Sequence, residues 1–148
     1  MPDLQTMVQD NRKERERLLA LLSNKKDKGV DLGKRLLNGW TIKGTLAHLA
    51  FWDLRQLSLI KRWTMDGTKP GSVDPEGIND ALILFSEFIP TSSVVNLVIA
   101  AAQAVDQEVE KLTPAQAEEL MKMGLERNLH RALHRKNHLD KIEAALKG

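Results

Sequence analysis

The most informative stretch of the sequence is residues 129–142, LHRALHRKNHLDKI, near the carboxyl end. Three of the four histidines in the chain lie here, His130, His134 and His138, at intervals of four residues. Residues four apart on an α-helix lie on the same face, one turn above the other. The spacing therefore predicts a helix on which two neighbouring histidines can bind one metal ion.

The fourth histidine, His48, lies in a second stretch with a helical pattern, residues 39–53, GWTIKGTLAHLAFWD. It is the only histidine left to supply a third ligand, and it would do so from a distant helix. The hypothesis is therefore a three-histidine metal site inside a helix bundle. The alternative is that the clustered histidines form an ordinary polar stripe among neighbouring arginines.

Helix geometry restricts which pair of the three can act together. His130 and His138 are separated by about 12 Å along the axis at the usual rise per residue, which is too far for both to reach an ion at about 2 Å. The apolar face of this helix includes Leu139 and Ile142, and His134 and His138 lie closest to it. His130 is expected to stand behind a ligand, at the rim of the site or in solvent.

The expected ligands are thus His48, His134 and His138. Three neutral histidines suit Zn²⁺, Ni²⁺ or Fe²⁺, and the ligand type alone does not choose among these ions. Three protein ligands leave at least one position open, which is typical of catalytic metal sites rather than structural ones. The glutamate of the H-E-x-x-H metalloprotease motif is missing, because residues 135–137 are RKN.

Composition limits the classes of partner. The 148 residues fit one domain, 1–148, and a net charge of +2 with 28% charged residues does not favour nucleic acid. The charged run Arg12–Arg17 is interpreted as a solvated helix face. The longest apolar run is shorter than the approximately 20 residues that a membrane span needs. The absence of cysteine excludes disulfides and thiolate ligands and fits a cytoplasmic location.

The pattern of apolar residues predicts an all-α fold with four long helices and no strand. The four long helices are predicted at Leu4–Leu22 with the cap Asp3, from the cap Thr41 to about Met65, from about Thr91 or Ser92, an N-cap candidate, to Leu112, and from Leu125 or Glu126 to Leu146. Short helices are predicted at Ile78–Phe88 and from Pro114 to about Met121. The segment Asn24–Gly39 is predicted to be mostly loop, and the loop Thr68–Gly77 is a candidate lid.

Two motifs resemble those of the DinB-like superfamily, which includes the metal-binding domain of mycothiol-dependent maleylpyruvate isomerases. Residues 40–52, WTIKGTLAHLAFW, are similar to the pattern W-[ST]-x-K-x-x-x-A-H-L-x-x-W. Residues 134–142, HRKNHLDKI, are similar to the pattern H-Y-x-E-H-x-x-x-I. Asn79 falls where many members of the superfamily carry an asparagine after the loop.

The resemblance implies an up-down-down-up four-helix bundle with short extra helices in the connections, often a homodimer. It also implies a divalent metal held by one histidine of the second helix and two of the last, which correspond to His48, His134 and His138. Characterised relatives use the metal to activate a low-molecular-weight thiol (mycothiol, bacillithiol or glutathione), and others are hydrolases. The expected function is therefore a metal-dependent thiol transferase or hydrolase acting on a small-molecule electrophile.

The sequence departs from the family pattern at two positions, since Arg135 replaces an aromatic residue and Asn137 replaces a glutamate. The loss of that carboxylate weakens the prediction of catalysis more than the prediction of metal binding. Trp52 is interpreted either as core or as a pocket wall, and Asp53 is a weak candidate for a general base. Arg131 and Arg135 are expected in solvent, with recognition of a substrate carboxylate as the alternative, and Arg135 is also a candidate for a place beside the metal ligands or in the pocket. The alternative function is a non-catalytic bundle with a binding or stress-related role.

Overall fold

The computed structural model describes residues 2–23 and 31–148 of the chain, and these residues are almost entirely helical. The helices are α1 Leu4–Leu22, α2 Ile42–Asp66, α3 Pro75–Glu87, α4 Thr91–Glu110, α5 Pro114–Lys122, α6 Glu126–Leu129 and α7 Arg131–Lys147. The described residues form no strand beyond an isolated bridge between Arg35 and Thr41. The predicted all-α class is therefore confirmed.

The four long helices pack against one another in pairs. Helix α2 contacts α4 and α7, and α1 contacts the same two helices. The shorter α3 lies against α2, where it can supply side chains to the face of α2 that carries His48. Among the described helices, none is both long enough and apolar enough to cross a lipid bilayer.

The core consists of two apolar clusters. One includes Leu46 of α2, Val98 of α4 and Ile142 of α7, each with no exposed surface. The other includes Met7 of α1 and Leu129 of α6, which are equally buried. Full burial of such a side chain stabilises the fold by about 1.5–3 kcal/mol, so these contacts fix how the four helices are placed.

Local signals explain several helix ends. The Asp3 side chain accepts a hydrogen bond from the Thr6 N–H, and the Thr41 side chain accepts one from Gly44, so both predicted N-caps are correct. Helix α2 ends at Asp66, and its cap residue Gly67 has a φ of 76°, in the left-handed region that glycine adopts without strain. Part of the predicted loop Asn24–Gly39, residues 24–30, lies outside the described residues, and residues 31–39 form turns.

One predicted helix start and one predicted N-cap were wrong, whereas the start of α4 at Thr91 agrees with the prediction. Helix α3 begins at Pro75 rather than Ile78, because Pro75 fits the first helical turn and the Asp74 side chain accepts a hydrogen bond from Gly77. Helix α4 takes Pro90 as its cap residue, without a side-chain hydrogen bond, so neither Thr91 nor Ser92 acts as the predicted cap.

The predicted last helix is also interrupted. His130 has φ −87° and ψ 70°, which is not helical, and it separates α6 from α7. The three histidines therefore do not share one continuous helix. His134 and His138 lie on α7, whereas His130 lies at the break, and the interruption turns its side chain independently of the other two.

Candidate metal centre

Three histidines from two helices converge at one point. His48 comes from the middle of α2, and His134 and His138 come from successive turns of α7. One ring nitrogen from each lies within 4.8 Å of the others. Among the described residues, this group of His, Cys, Asp or Glu side chains is one that could hold a metal ion, and it consists of the three ligands predicted from sequence.

The closest contact in the group joins His48 and His134, whose Nε2 atoms lie 2.9 Å apart. The His138 ring centroid is 4.7 Å from that of His48 and 4.8 Å from that of His134. The three rings are tilted or perpendicular to each other rather than stacked. Imidazoles arranged in this way point their nitrogens toward a shared centre.

Burial keeps these histidines neutral. Removal of water from the charged form lowers the pKa of His48 to about 4 and that of His138 to about 4. The pKa of His134 is lowered to about 2, first by burial and then by the positive charge of Arg131. Neutral imidazole is the form that binds a metal ion, so burial leaves the three side chains uncharged at neutral pH, as metal binding requires.

Asn79 of α3 orients His48. The Asn79 Oδ1 atom lies 2.9 Å from Trp52 Nε1 and 3.0 Å from His48 Nδ1. An indole nitrogen only donates, so Asn79 must present its oxygen to both partners. His48 Nδ1 therefore carries the proton, and its Nε2 keeps a free electron pair for a ligand, which is the usual arrangement of a metal-binding histidine.

Aromatic residues surround His48 on α2. The Trp40 ring lies 5.2 Å from the imidazole, and the Trp52 ring lies 6.4 Å from it. Trp52 is half-buried, and it lines a cavity as well as contacting Phe51. The structure thus places Trp52 at the pocket wall rather than in the core, and it adds Trp40 as a contact that the sequence interpretation had left without a role.

The site opens into a cavity of about 750 Å³. His48, His134, Trp52 and Asn79 lie along its wall together with residues that the sequence interpretation had not assigned to the pocket. These additional lining residues are Gln56, Val73, Pro75, Arg127, Leu133 and Asn137. Val73 belongs to the loop between α2 and α3, so the end of the predicted lid does border this cavity.

His130 lines the same cavity but lies outside the group of three. It is buried, and its Nε2 lies 2.9 Å from Asp10 Oδ2 of α1, so of its three expected positions solvent is excluded, whereas a place at the rim of the site agrees with the structure. Its Nδ1 is buried without a hydrogen-bond partner among the described residues. The Asp10 pairing joins residues 120 apart, and no local sequence pattern indicates it.

A buried network of charges stands behind the histidines. Arg131 Nε lies 2.8 Å from Asp53 Oδ1, and Arg135 Nη2 lies 3.1 Å from Asp53 Oδ2 and 2.8 Å from Asp106 Oδ1. Arg135 has no exposed surface and Arg131 is 4% exposed. Both arginines were expected in solvent, and this was wrong because each satisfies a carboxylate that apolar helix faces would otherwise bury unpaired.

Asp53 is consequently a structural partner of the arginines. With an arginine bound to each carboxylate oxygen, it is not available as the general base that the sequence suggested. The signal that was missed is a pair of acids, Asp53 and Asp106, each directly after an apolar helix segment. Such residues need buried cations as partners, and residues 131 and 135 supply them.

The same network corrects the interpretation of the charged run in α1. Arg15 lies 2.7 Å from the buried Asp106, and Arg17 binds Glu14, Asp140 and Glu143. Glu14 itself is buried. One side of the run Arg12–Arg17 therefore faces α4 and α7 instead of solvent, and these ion pairs connect α1 to the helices that carry the site.

In comparisons with known proteins, the chain matches no family model, no curated protein and no solved structure. The geometry of the site therefore carries the functional argument. It consists of three neutral histidines, an asparagine that orients one of them, and a cavity on one side. Such a group could hold a divalent metal ion.

Proposed function

We propose that this protein is a divalent-metal-dependent enzyme of the DinB-like type, with the up-down-down-up bundle of that superfamily. His48, His134 and His138 would hold the ion, whether Zn²⁺, Ni²⁺ or Fe²⁺. The observation that carries the proposal is that three neutral imidazoles from two helices converge beside a cavity of about 750 Å³. A three-ligand site with adjoining space is what a catalytic metal requires.

A metal bound here would lower the pKa of a bound low-molecular-weight thiol or of water, so that an anionic nucleophile exists near neutral pH. The residues of the chain would hold the small electrophile and exclude water. Trp52 and Leu133 supply apolar wall on the cavity side of the histidines, and Asn79 keeps His48 in its metal-binding orientation.

The charge of the cavity favours an anionic nucleophile or substrate. In the described part of the chain, the lining residues include Arg127 and Arg131 but no carboxylate. Asp53, the nearest acid behind the site, is already neutralised by two arginines. A thiolate, a hydroxide or a substrate carboxylate would therefore meet positive potential on entering.

Elemental analysis of protein purified without a histidine tag tests metal binding. Wild type is expected to retain close to one equivalent of a divalent metal, and His48→Ala and His134→Ala are expected to lose it. A suitable control is Asn137→Ala, which changes the cavity wall but removes no proposed ligand. Metal retention in both histidine variants equal to that of wild type would show that the site is elsewhere.

The choice between thiol transfer and hydrolysis needs a second measurement. The metal-loaded protein is incubated with a generic small electrophile, with and without added thiol. A transferase consumes the electrophile only when the thiol is present. Equal consumption without thiol would exclude the transferase version and favour hydrolysis.

A second candidate function has one observation in its favour. In the structure, His134 bonds to His48 and to Arg131, and His48 bonds to Asn79, so these buried imidazoles are satisfied by protein groups alone. A non-catalytic bundle with a binding or stress-related role would need no more than that. Elemental analysis showing metal-free wild-type protein that also takes up no added metal would support this candidate.

A further inference from the structure

Arg131 and His134 form a hydrogen bond in which the histidine accepts, whereas a metal-binding histidine usually donates from its second ring nitrogen. Arg131 Nη2 lies 3.0 Å from His134 Nδ1. A guanidinium group only donates hydrogen bonds, so Nδ1 must accept here. A neutral imidazole carries one proton, and that proton is therefore on His134 Nε2.

The contact between the two histidines agrees with this assignment. His48 has its proton on Nδ1, where Asn79 accepts it, and so His48 Nε2 is an acceptor. The 2.9 Å contact between the two Nε2 atoms is then a hydrogen bond in which His134 donates and His48 accepts. Two independent chains of hydrogen bonds, one from Trp52 and one from Arg131, lead to the same arrangement.

Arg131 is held firmly in this position. Its Nε donates to Asp53 Oδ1 at 2.8 Å, and its Nη1 donates to the Arg127 carbonyl oxygen at 2.9 Å. The side chain is buried, and Asp53 is itself fixed by Arg135. Moving Arg131 away from His134 would break these charge-assisted hydrogen bonds, which are stronger than those between neutral groups.

The position of this proton matters because Nε2 is the His134 atom that faces the centre shared by the three histidines. A metal-binding histidine usually donates its second ring N–H to an acceptor behind it, as His48 does toward Asn79. His134 instead receives a hydrogen bond from behind and presents an N–H to the centre. A ligand atom needs a free electron pair, so the hydrogen bonds of His134 must change before it can bind an ion.

We propose that Arg131 is a positioning residue that holds His134 in the Nε2–H form and thereby weakens the affinity of the three-histidine site for divalent metal. The proposal rests on the proposed metal site. It assigns Arg131 a role toward the metal, in place of the expected role in solvent or in binding a substrate carboxylate.

The first test uses metal-free protein with ¹⁵N-labelled histidine. Ring ¹⁵N chemical shifts report which nitrogen carries the proton. In wild type, His134 is expected to be protonated on Nε2 and His48 on Nδ1. In Arg131→Met, the His134 preference for Nε2–H is expected to weaken or reverse. A wild-type His134 protonated on Nδ1 would overturn the proposal without reference to any metal.

The second test measures Zn²⁺ affinity by competition with a chromophoric chelator. Arg131→Met is expected to bind Zn²⁺ more tightly than wild type by about 10- to 100-fold, the usual size of effects from residues behind a ligand. Arg127→Met is the control, because it removes an exposed positive charge from the same cavity wall but leaves the contact to His134. Its effect is expected to stay within about threefold, since exposed charges are screened by salt.

The outcomes separate this proposal from the proposed function. Zn²⁺ binding by Arg131→Met alone would support the role of Arg131 and overturn metal binding by the natural chain. Equal or weaker binding by Arg131→Met than by wild type would overturn the role of Arg131 and leave the metal site standing. The absence of binding in both would overturn both. If Arg131→Met does not fold, as judged by circular dichroism, Arg131→Gln and the wild-type ¹⁵N shifts decide.

Discussion

His48 Nε2 and His134 Nε2 lie 2.9 Å apart although 86 residues separate them in the chain. The packing of α2 against α7 produces this contact. His48 is buried and His134 is half-buried, so hydrogen bonds to protein groups largely determine how each ring is oriented. The predictions below therefore alter the neighbours of the histidines as well as the histidines themselves.

Asn79→Ala is expected to weaken Zn²⁺ binding by about 10- to 100-fold, because His48 loses the acceptor that fixes its ring. Zn²⁺ competition measures the change. Asn137→Ala serves as the matched control, since Asn137 lines the same cavity but forms no hydrogen bond to His48, His134 or His138. A similar loss in both variants would mean that Asn79 does not act through His48.

Asp74→Ala is expected to weaken both the fold and the metal site. Asp74 caps α3, the helix that carries Asn79, so its loss costs about 1 kcal/mol of stability and loosens the contact to His48. Thr113→Ala removes the equivalent cap of α5 and is expected to destabilise similarly. Only Asp74→Ala should also reduce Zn²⁺ affinity. An equal reduction of Zn²⁺ affinity in Thr113→Ala would show that the affinity follows overall stability rather than the position of α3.

Arg135→Met is expected to destabilise the protein by about 3–5 kcal/mol, because it leaves buried carboxylate oxygens of Asp53 and Asp106 without a partner. The midpoint of urea unfolding measures this. Lys136→Met, one residue further along α7, removes an exposed ion pair with Asp140 and should change stability by less than about 1 kcal/mol. Comparable losses in the two variants would show that the buried ion pairs of Arg135 stabilise the fold no more than the exposed pair does.

Stability is expected to fall as the pH drops below neutral in metal-free protein. The native pKa values of His48, His134 and His138 are lowered to about 4, 2 and 4, so below about pH 6.5 the unfolded chain takes up protons that the native protein does not. Between pH 6.5 and 4, each histidine that stays neutral in the native protein lowers the free energy of unfolding by about 1.4 kcal/mol for every unit by which the pH falls.

Urea unfolding at pH 7 and pH 5 in the presence of a chelator measures this dependence. The His134→Gln variant lacks one of the three groups, so its stability should fall less between the two pH values than that of wild type. Equal falls in the two proteins would mean that His134 titrates normally in the native state.

Local sequence signals predicted most of the helices. The bounds of α1, the caps Asp3 and Thr41, and the end of α2 close to the predicted Met65 each follow from a residue type with a specific backbone or hydrogen-bonding property. The three-histidine group was also predicted, since its i, i+4 spacing leaves few choices. The caps, the helix ends and the pair His134 and His138 depend on neighbours within about one helical turn, whereas His48 was chosen because it is the one remaining histidine.

The errors arise from interactions over long sequence distances. Nothing in residues 125–131 resembles a helix stop, yet His130 breaks the helix and pairs with Asp10 of α1. Arginine is mostly exposed in proteins, so Arg131 and Arg135 were expected in solvent. Their burial depends on Asp53 and Asp106 in two other helices, and only the packed structure shows that pairing.

The break at His130 has a consequence for how the chain tolerates changes in length. Because α7 starts afresh at Arg131, the angular positions of His134 and His138 are set by contacts of α7 alone and not by the phase of α6. A residue gained or lost within α6 would displace the buried Leu129 and the Arg127 carbonyl that holds Arg131, but it would not by itself change the spacing of His134 and His138 within α7. One inserted between His134 and His138 would rotate the second ring by about 100° around the axis and remove it from the group.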